Sequence, residues 1–290
     1  MHPTAVEVAI RYFWWKPGVC LFRALELNAY LNAGHHAAST CLDLGCGDGL
    51  VARTLMEAGV LGGSVVGLDL SSAQLGKAQA LGQHEALCQA NAEALPFADA
   101  HFGTVLSNGV LEALPHSPAA AIREVGRVLE DGGLFFLTIP TDRFIPNMLW
   151  PRIIRRVSPR LADSYTTRLD RRLEHHGTYR SLETWRSLLQ TAGLQVLAAR
   201  PFLSEQSGGI YNLLIMHAFR AAGTLKLLWK KPPPWLHRWL TTMITECDRR
   251  DRLDASAGAY ALFVARKRVK RTEVRADTLD KPAGPNGYFS

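Results

Sequence analysis

Apolar positions recur with helical spacing over residues 6–32, interrupted at Pro17-Gly18, which predicts two short helices laid on one face of the body. From residue 40 the period changes. Residues 40–44 form a short apolar run that stops at a cluster of glycines, and residues 50–58 return to helical spacing, so the cluster joins a strand to a helix. The alternation continues with strands predicted at 64–68, 86–89, 102–107 and 134–139 and helices at 72–82 and 119–129, Asp131-Gly132-Gly133 turning the chain into the last strand. A helix at 182–192 precedes two β-like runs, 194–201 and 258–266, suited to pairing at one edge of a sheet. Strands that alternate with helices predict an α/β fold, a parallel sheet with helices on both faces.

Two segments break the alternation. Residues 141–178 are rich in arginine, nine against four acidic residues when Arg180 is included, and residues 204–257 carry the Pro232-Pro233-Pro234 run with Trp229, Trp235 and Trp239. Both fall where loops at strand ends belong, which predicts insertions forming a helical cap. The expected organisation is a helical leader over 1–39, one domain over 40–266 with cap insertions at 141–178 and 204–257, and a polar, disordered tail over 267–290.

Composition narrows the class. Apolar residues make up 47% and charged residues 20%, enough for a packed core, and the formal net charge is +7. That charge hints at an anionic surface or substrate without choosing one. Cys20, Cys41, Cys46, Cys88 and Cys247 show no zinc spacing, so they read as reduced thiols of a cytoplasmic protein and no metal is expected. The first sixteen residues lack the basic start and cleavage site of a signal peptide. Residues 210–229 hold His217, Arg220 and Lys226 and do not read as a membrane span.

The candidate chemistry begins at Asp43-Leu44-Gly45-Cys46-Gly47-Asp48-Gly49, between a strand and a helix. Glycines at alternate positions let backbone turn tightly against a ligand, and Asp43 before them points toward the crevice at the strand ends. Asp69, at the end of the next strand, suits the two hydroxyls of a ribose. The spacing differs from the G-x-G-x-x-G of dinucleotide folds, and a carboxylate at the turn would repel a pyrophosphate, which disfavours a nicotinamide-dependent oxidoreductase. Asp48 serves equally well as a helix cap.

Asp43 to Gly49, Asp69, Asn91-Ala92-Glu93-Ala94-Leu95-Pro96-Phe97 and Glu124 to Gly133 together resemble the successive motifs of class I S-adenosylmethionine-dependent methyltransferases of the small-molecule type. The resemblance implies a Rossmann-like, seven-stranded sheet and S-adenosyl-L-methionine as cofactor. It places Gly45, Cys46 and Gly47 against the methionine moiety, Asp43 near its amino group, Asp69 on the ribose, Leu70 on the adenine face, Asn91 and Ala92 at the adenine edge, and the Asn108 carbonyl near the methionine end. This chain departs from many relatives in having Asn91 where they have Asp and Ala113 where they have His.

For the proton, His175 and His176 are the candidate catalytic bases, with Tyr179 and Asp142 as competitors. The expected acceptor is a small, lipophilic molecule methylated on O, N or C. Nucleic acid is not an expected partner, since no binding module is visible and Ser107-Asn108-Gly109 lacks the Asn-Pro-Pro-aromatic pattern of base-amino methylation. The tryptophans and basic residues of 210–240 read either as cap core or as a peripheral membrane contact, and a non-catalytic cofactor-fold module is the rival outside the enzymes.

Overall fold

In the computed structural model, residues 1–35, 40–114, 117–173, 179–217, 229–253 and 258–269 are described. Seven strands form one mixed sheet in the order β3-β2-β1-β4-β5-β7-β6. They are β1 (Cys41–Leu44), β2 (Val65–Asp69), β3 (Ala86–Gln89), β4 (Phe102–Asn108), β5 (Leu129–Pro140), β6 (Leu194–Phe202) and β7 (Tyr260–Lys267). β1 to β5 run parallel, and β7 inserts antiparallel between β5 and β6, so the two last β-like runs pair at the edge as the sequence predicts. The order reverses beside β1, the position at which open α/β sheets form a ligand crevice.

Strand β5 starts earlier than its apolar run. Leu129 already pairs with Phe102, and the next partner of β4 is Leu134 opposite Thr104, so the Asp131-Gly132-Gly133 turn is carried inside the strand as an irregularity. Gly132 has φ +81°, a left-handed conformation that a side chain would strain.

The leader folds as α1 (Pro3–Phe13) and α2 (Pro17–Ala33), each with proline in its first turn, where the missing N–H costs nothing. Helices α3 (Leu50–Glu57), α4 (Ser72–Leu81) and α5 (Ala119–Val128) follow β1, β2 and β4. The Ser71 hydroxyl caps α4 by accepting from Gln74 N, and Gly82 ends it in the left-handed region. The arginine-rich insertion forms α6 (Phe144–Asn147), α7 (Leu149–Val157) and α8 (Pro159–Leu173), and α9 (Leu182–Thr191) precedes β6. The second insertion forms α10 (Glu205–His217) and, as the next described helix, α11 (Pro234–Leu253).

The strands' alternation divides the core in two. Phe136 and Leu106 enter a layer shared by α1, α2, α10 and α11, whereas Phe135, Leu137 and Val105 face α5 and α9 with Ile122, Val125, Trp185 and Leu189. The second insertion packs on the leader. Asn28 of α2 donates to Asp248 of α11 at 2.7 Å, and Asp251 of α11 accepts from Leu203 N, Ser204 N and Ser207 Oγ at the start of α10. No described helix is long and apolar enough to cross a membrane.

Candidate active site

A cavity of about 670 Å³ opens at the carboxyl ends of β1, β2 and β4 and is lined by Gly45, Gly47, Asp69, Leu70, Asn91, Ala92, Gly109, Val110, Ala113 and Leu114, among others. Its size is that of a small-molecule site. The glycine turn forms one wall, with φ of +71° at Gly45, +55° at Gly47 and +80° at Gly49. The reasons for glycine differ along it. A Cβ at Gly45 would come within 2.2 Å of Val110 Cγ2, so the turn must press against the loop after β4; a Cβ at Gly47 would meet no protein atom within 4 Å and would stand in open space.

Asp69 is fixed by the same turn. Its Oδ2 accepts from Gly47 N at 2.9 Å and its Oδ1 from Ser71 N at 2.8 Å, which orients the carboxylate while leaving lone pairs toward the cavity. Beside it Leu70 is 70% exposed, an apolar surface left bare on the cavity wall. Asn91 and Ala92 form the facing turn, where Asn91 Oδ1 accepts from Glu93 N at 3.0 Å. That turn is held from outside by the Glu124 to Gly133 motif: Arg127 donates to the carbonyls of Leu95 and Phe97, and Glu124 accepts from Leu95 N. The Arg127 guanidinium, hydrogen-bonded to Glu124 and Asp99, draws the Glu124 carboxyl below its usual range. These motif residues brace the site without entering it.

Two of the predicted residues lie beneath the wall. Asp43 is 2% exposed and does not line the cavity; its Oδ2 is 3.0 Å from His84 Nε2. Burial raises the Asp43 carboxyl above the usual range, and the hydrogen bond with His84 works against that shift. Cys46 is buried as well, its thiol pushed up to about 12 by burial and then by the carboxylates of Asp43 and Asp69. His84 escaped the sequence reading because a lone histidine in the loop between α4 and β3 carries no spacing signal.

Asn108, at the end of β4, connects the site to the leader. Its Nδ2 donates to Glu26 Oε1 at 2.5 Å, and its Oδ1 accepts from Arg23 Nη1 at 3.0 Å; Arg23 and Glu26 also pair directly at 2.5 Å. Burial opposes the Arg23 charge, but the adjacent Glu26 carboxylate carries the guanidinium above its usual value. Glu112 lies four residues beyond Asn108 and is 1% exposed; burial pushes its carboxyl up to about 8. Its signal was available as a lone acid in the apolar run Leu111-Glu112-Ala113-Leu114.

His175 and His176 lie outside the described residues. The chain on either side is anchored near the end of β5: Tyr179 donates to Asp170, its ring stacks on Phe144 at 5.1 Å, and Arg180 bridges Thr141. Burial, then the Asp170 carboxylate, hold the Tyr179 phenol well above its usual value. Among the described residues there is no cluster of three or more potential metal ligands.

The donor set fits S-adenosylmethionine: a ribose-sized pair of carboxylate oxygens, a bare leucine for a base, and open space over Gly47 in place of a side chain. Residues 42–137 match the family described as methyltransferase domain. An uncharacterized chloroplastic methyltransferase of Arabidopsis thaliana is 28% identical over 169 residues, covering 55% of this chain and 47% of the relative. A ubiquinone biosynthesis O-methyltransferase of Pseudomonas paraeruginosa is 31% identical over 144 residues, covering 45% and 59%. The chain spans about half the length of the first curated relatives that it matches. Among solved structures, an S-adenosylmethionine-dependent methyltransferase from Mesorhizobium loti superposes with a TM-score of 0.51 at 19% identity, covering 85% of this chain and all of the other, a likeness of fold.

Proposed function

We propose, for a chain whose residues 42–137 belong to the class I S-adenosylmethionine-dependent methyltransferases, that it transfers a methyl group to an oxygen, nitrogen or carbon nucleophile of a small, lipophilic acceptor. The observation that carries this reading is the meeting of Asp69, Leu70, Gly47 and Asn91 on one cavity of about 670 Å³. Asp69 would hold the ribose, Leu70 the adenine face, Asn91 and Ala92 the adenine edge, and Gly45, Cys46 and Gly47 the methionine moiety through their backbone. Asp43 would act on the amino group from beneath the turn, its orientation set by His84. Asn108 would offer its carbonyl near the methionine end, its side chain already engaged by Arg23 and Glu26.

Bound S-adenosylmethionine supplies an electrophilic methyl group, so the protein's part is alignment, exclusion of water and removal of a proton where the acceptor carries one. His175 and His176 are the proposed bases, and single alanine variants should lower turnover while leaving cofactor affinity intact. The relatives' names suit an oxygen acceptor: one is a ubiquinone biosynthesis O-methyltransferase, another a malonyl-[acyl-carrier protein] O-methyltransferase. The leader would belong to the working unit, since it supplies Arg23 and Glu26. The test is mass spectrometry of small-molecule extracts incubated with methyl-labelled cofactor and the full chain. A product heavier by one labelled methyl group supports the function; no labelled product from any extract, with cofactor bound, opposes it.

A further inference from the structure

Three large apolar side chains stand in water at one corner of the fold, where α7 ends and α8 begins: Ile153, Val157 and Leu161, with Val157 83% exposed. Ile153 and Val157 are four residues apart and share one face of α7; Ser158 then breaks the helix in extended backbone, and Pro159 starts α8. The corner is a built surface. Pro151 of α7 and Ala162 and Leu169 of α8 are buried, and Asn212 of α10 ties both helices down, accepting from Trp150 N at 3.0 Å and donating to the Tyr165 hydroxyl at 3.2 Å. Around the apolar side chains the charge is positive. Residues 149–173 carry seven arginines against two aspartates, and both acids are engaged, Asp163 by Arg155 and Asp170 by Tyr179. Arg156 and Arg160 are exposed beside Val157 and Leu161 and have no acidic partner among the described residues.

We propose that the α7–α8 corner docks on an anionic lipid bilayer, Arg156 and Arg160 meeting the headgroup phosphates while Ile153, Val157 and Leu161 enter the acyl boundary. Exposed apolar side chains interleaved with unpaired guanidinium groups fit an interface whose outer layer takes cations and whose inner layer takes hydrocarbon. A nucleic acid supplies the charge but no hydrocarbon layer for Val157 and Leu161. The corner also has a fixed place in the fold. α7 follows β5 through α6 alone, and α10, on which the corner is held, follows β6, which runs in the same direction as β5. The docking face therefore stands at the carboxyl edge of the sheet, the edge at which the cavity opens. It is a different stretch of chain from Trp235 and Trp239 of α11, and it involves none of the residues that line the cavity.

Co-sedimentation of the full chain with vesicles of phosphatidylcholine mixed with phosphatidylglycerol, and with vesicles of phosphatidylcholine alone, tests the proposal at low salt. The chain should bind the mixed vesicles, bind phosphatidylcholine alone far more weakly, and release as salt is added. Arg156→Gln with Arg160→Gln should lower binding by about fivefold per arginine, about 25-fold in all. Val157→Ser with Leu161→Ser should lower it roughly tenfold with every charge in place. All four side chains are exposed, so both double variants should melt with the wild type. No binding of the wild type to the mixed vesicles overturns the proposal. So does wild-type binding by the serine variant, which would mean adsorption of charge alone, the result expected if a duplex DNA fragment is retained just as well. Binding lost in Trp235→Ala with Trp239→Ala but kept in both corner variants would place the membrane contact on α11 and overturn it too.

Discussion

The glycine turn after β1 and the loop after β4 close on the same cavity from opposite sides, but they are built by different means. The turn is a backbone device, made by left-handed glycines and a carboxylate that binds the turn's own N–H. The β4 side is an ionic device: Asn108 is held by Glu26 and Arg23, 82 and 85 residues away, and a second buried acid stands behind Gly109. A backbone device tolerates any neighbour that leaves its dihedrals alone. A buried ionic one depends on every partner being present, because each charge is stabilised only by the others.

The largest effect is therefore expected on the β4 side. Arg23→Ala leaves Glu26 buried without its guanidinium and should cost about 3 to 5 kcal/mol of stability, read from the denaturant midpoint, while Arg23→Met with Glu26→Leu should recover most of it. An equal loss in the double variant would mean that the pair acts through shape. On the turn side, Gly45→Ala meets Val110 at 2.2 Å in a left-handed backbone and should cost about 1 to 3 kcal/mol. Adding Val110→Ala should remove the clash and leave about 1 kcal/mol of backbone strain; no rescue would break the account of why glycine stands there.

A pH dependence separates the two sides further. Glu112 keeps its proton in the fold up to about 8 but loses it near 4.5 in the unfolded chain, so over that window the unfolded state binds fewer protons and stability falls as pH rises. The slope should approach at most ~1.4 kcal/mol per pH unit and should vanish in Glu112→Gln, a comparison that thermal melts at several pH values can make. The smallest effect concerns the surface. Trp235 is 58% exposed, and Trp229 and Trp239 are exposed beside Lys230, Lys231 and Arg238, which suits the membrane reading of residues 210–240. Each basic residue would then contribute about 1 kcal/mol to binding of anionic liposomes at low salt. Absence from the liposome pellet would leave these residues to the cap.

Legibility in the sequence follows the same division. The glycine turn at residues 45–49 and the alternation of strands with helices were readable because each depends on neighbours within one β-α unit, and residues 194–201 and 258–266 were readable as an edge pair from their period alone. Glu26, Arg23 and His84 were not, since a charge on an apolar helix and a histidine in a loop acquire meaning only from partners 41 to 85 residues away. The packing of α10 and α11 on the leader was missed for the same reason. For Asp43 the motif's spacing gave the position but not the partner: its carboxyl is 2% exposed and lies 3.0 Å from His84 Nε2.

Everything proposed for this site depends on the turn and Asp69 forming a cofactor site for S-adenosylmethionine. Calorimetric titration of the full chain with that cofactor, in the wild type and in Asp69→Ala, tests it most directly. One site per chain is expected, with affinity lowered about 30-fold to 1,000-fold in the variant, the loss of two hydrogen bonds to a charged acceptor at roughly 2 to 4 kcal/mol. Equal affinity in a folded Asp69→Ala protein, or no binding by the wild type, would contradict it.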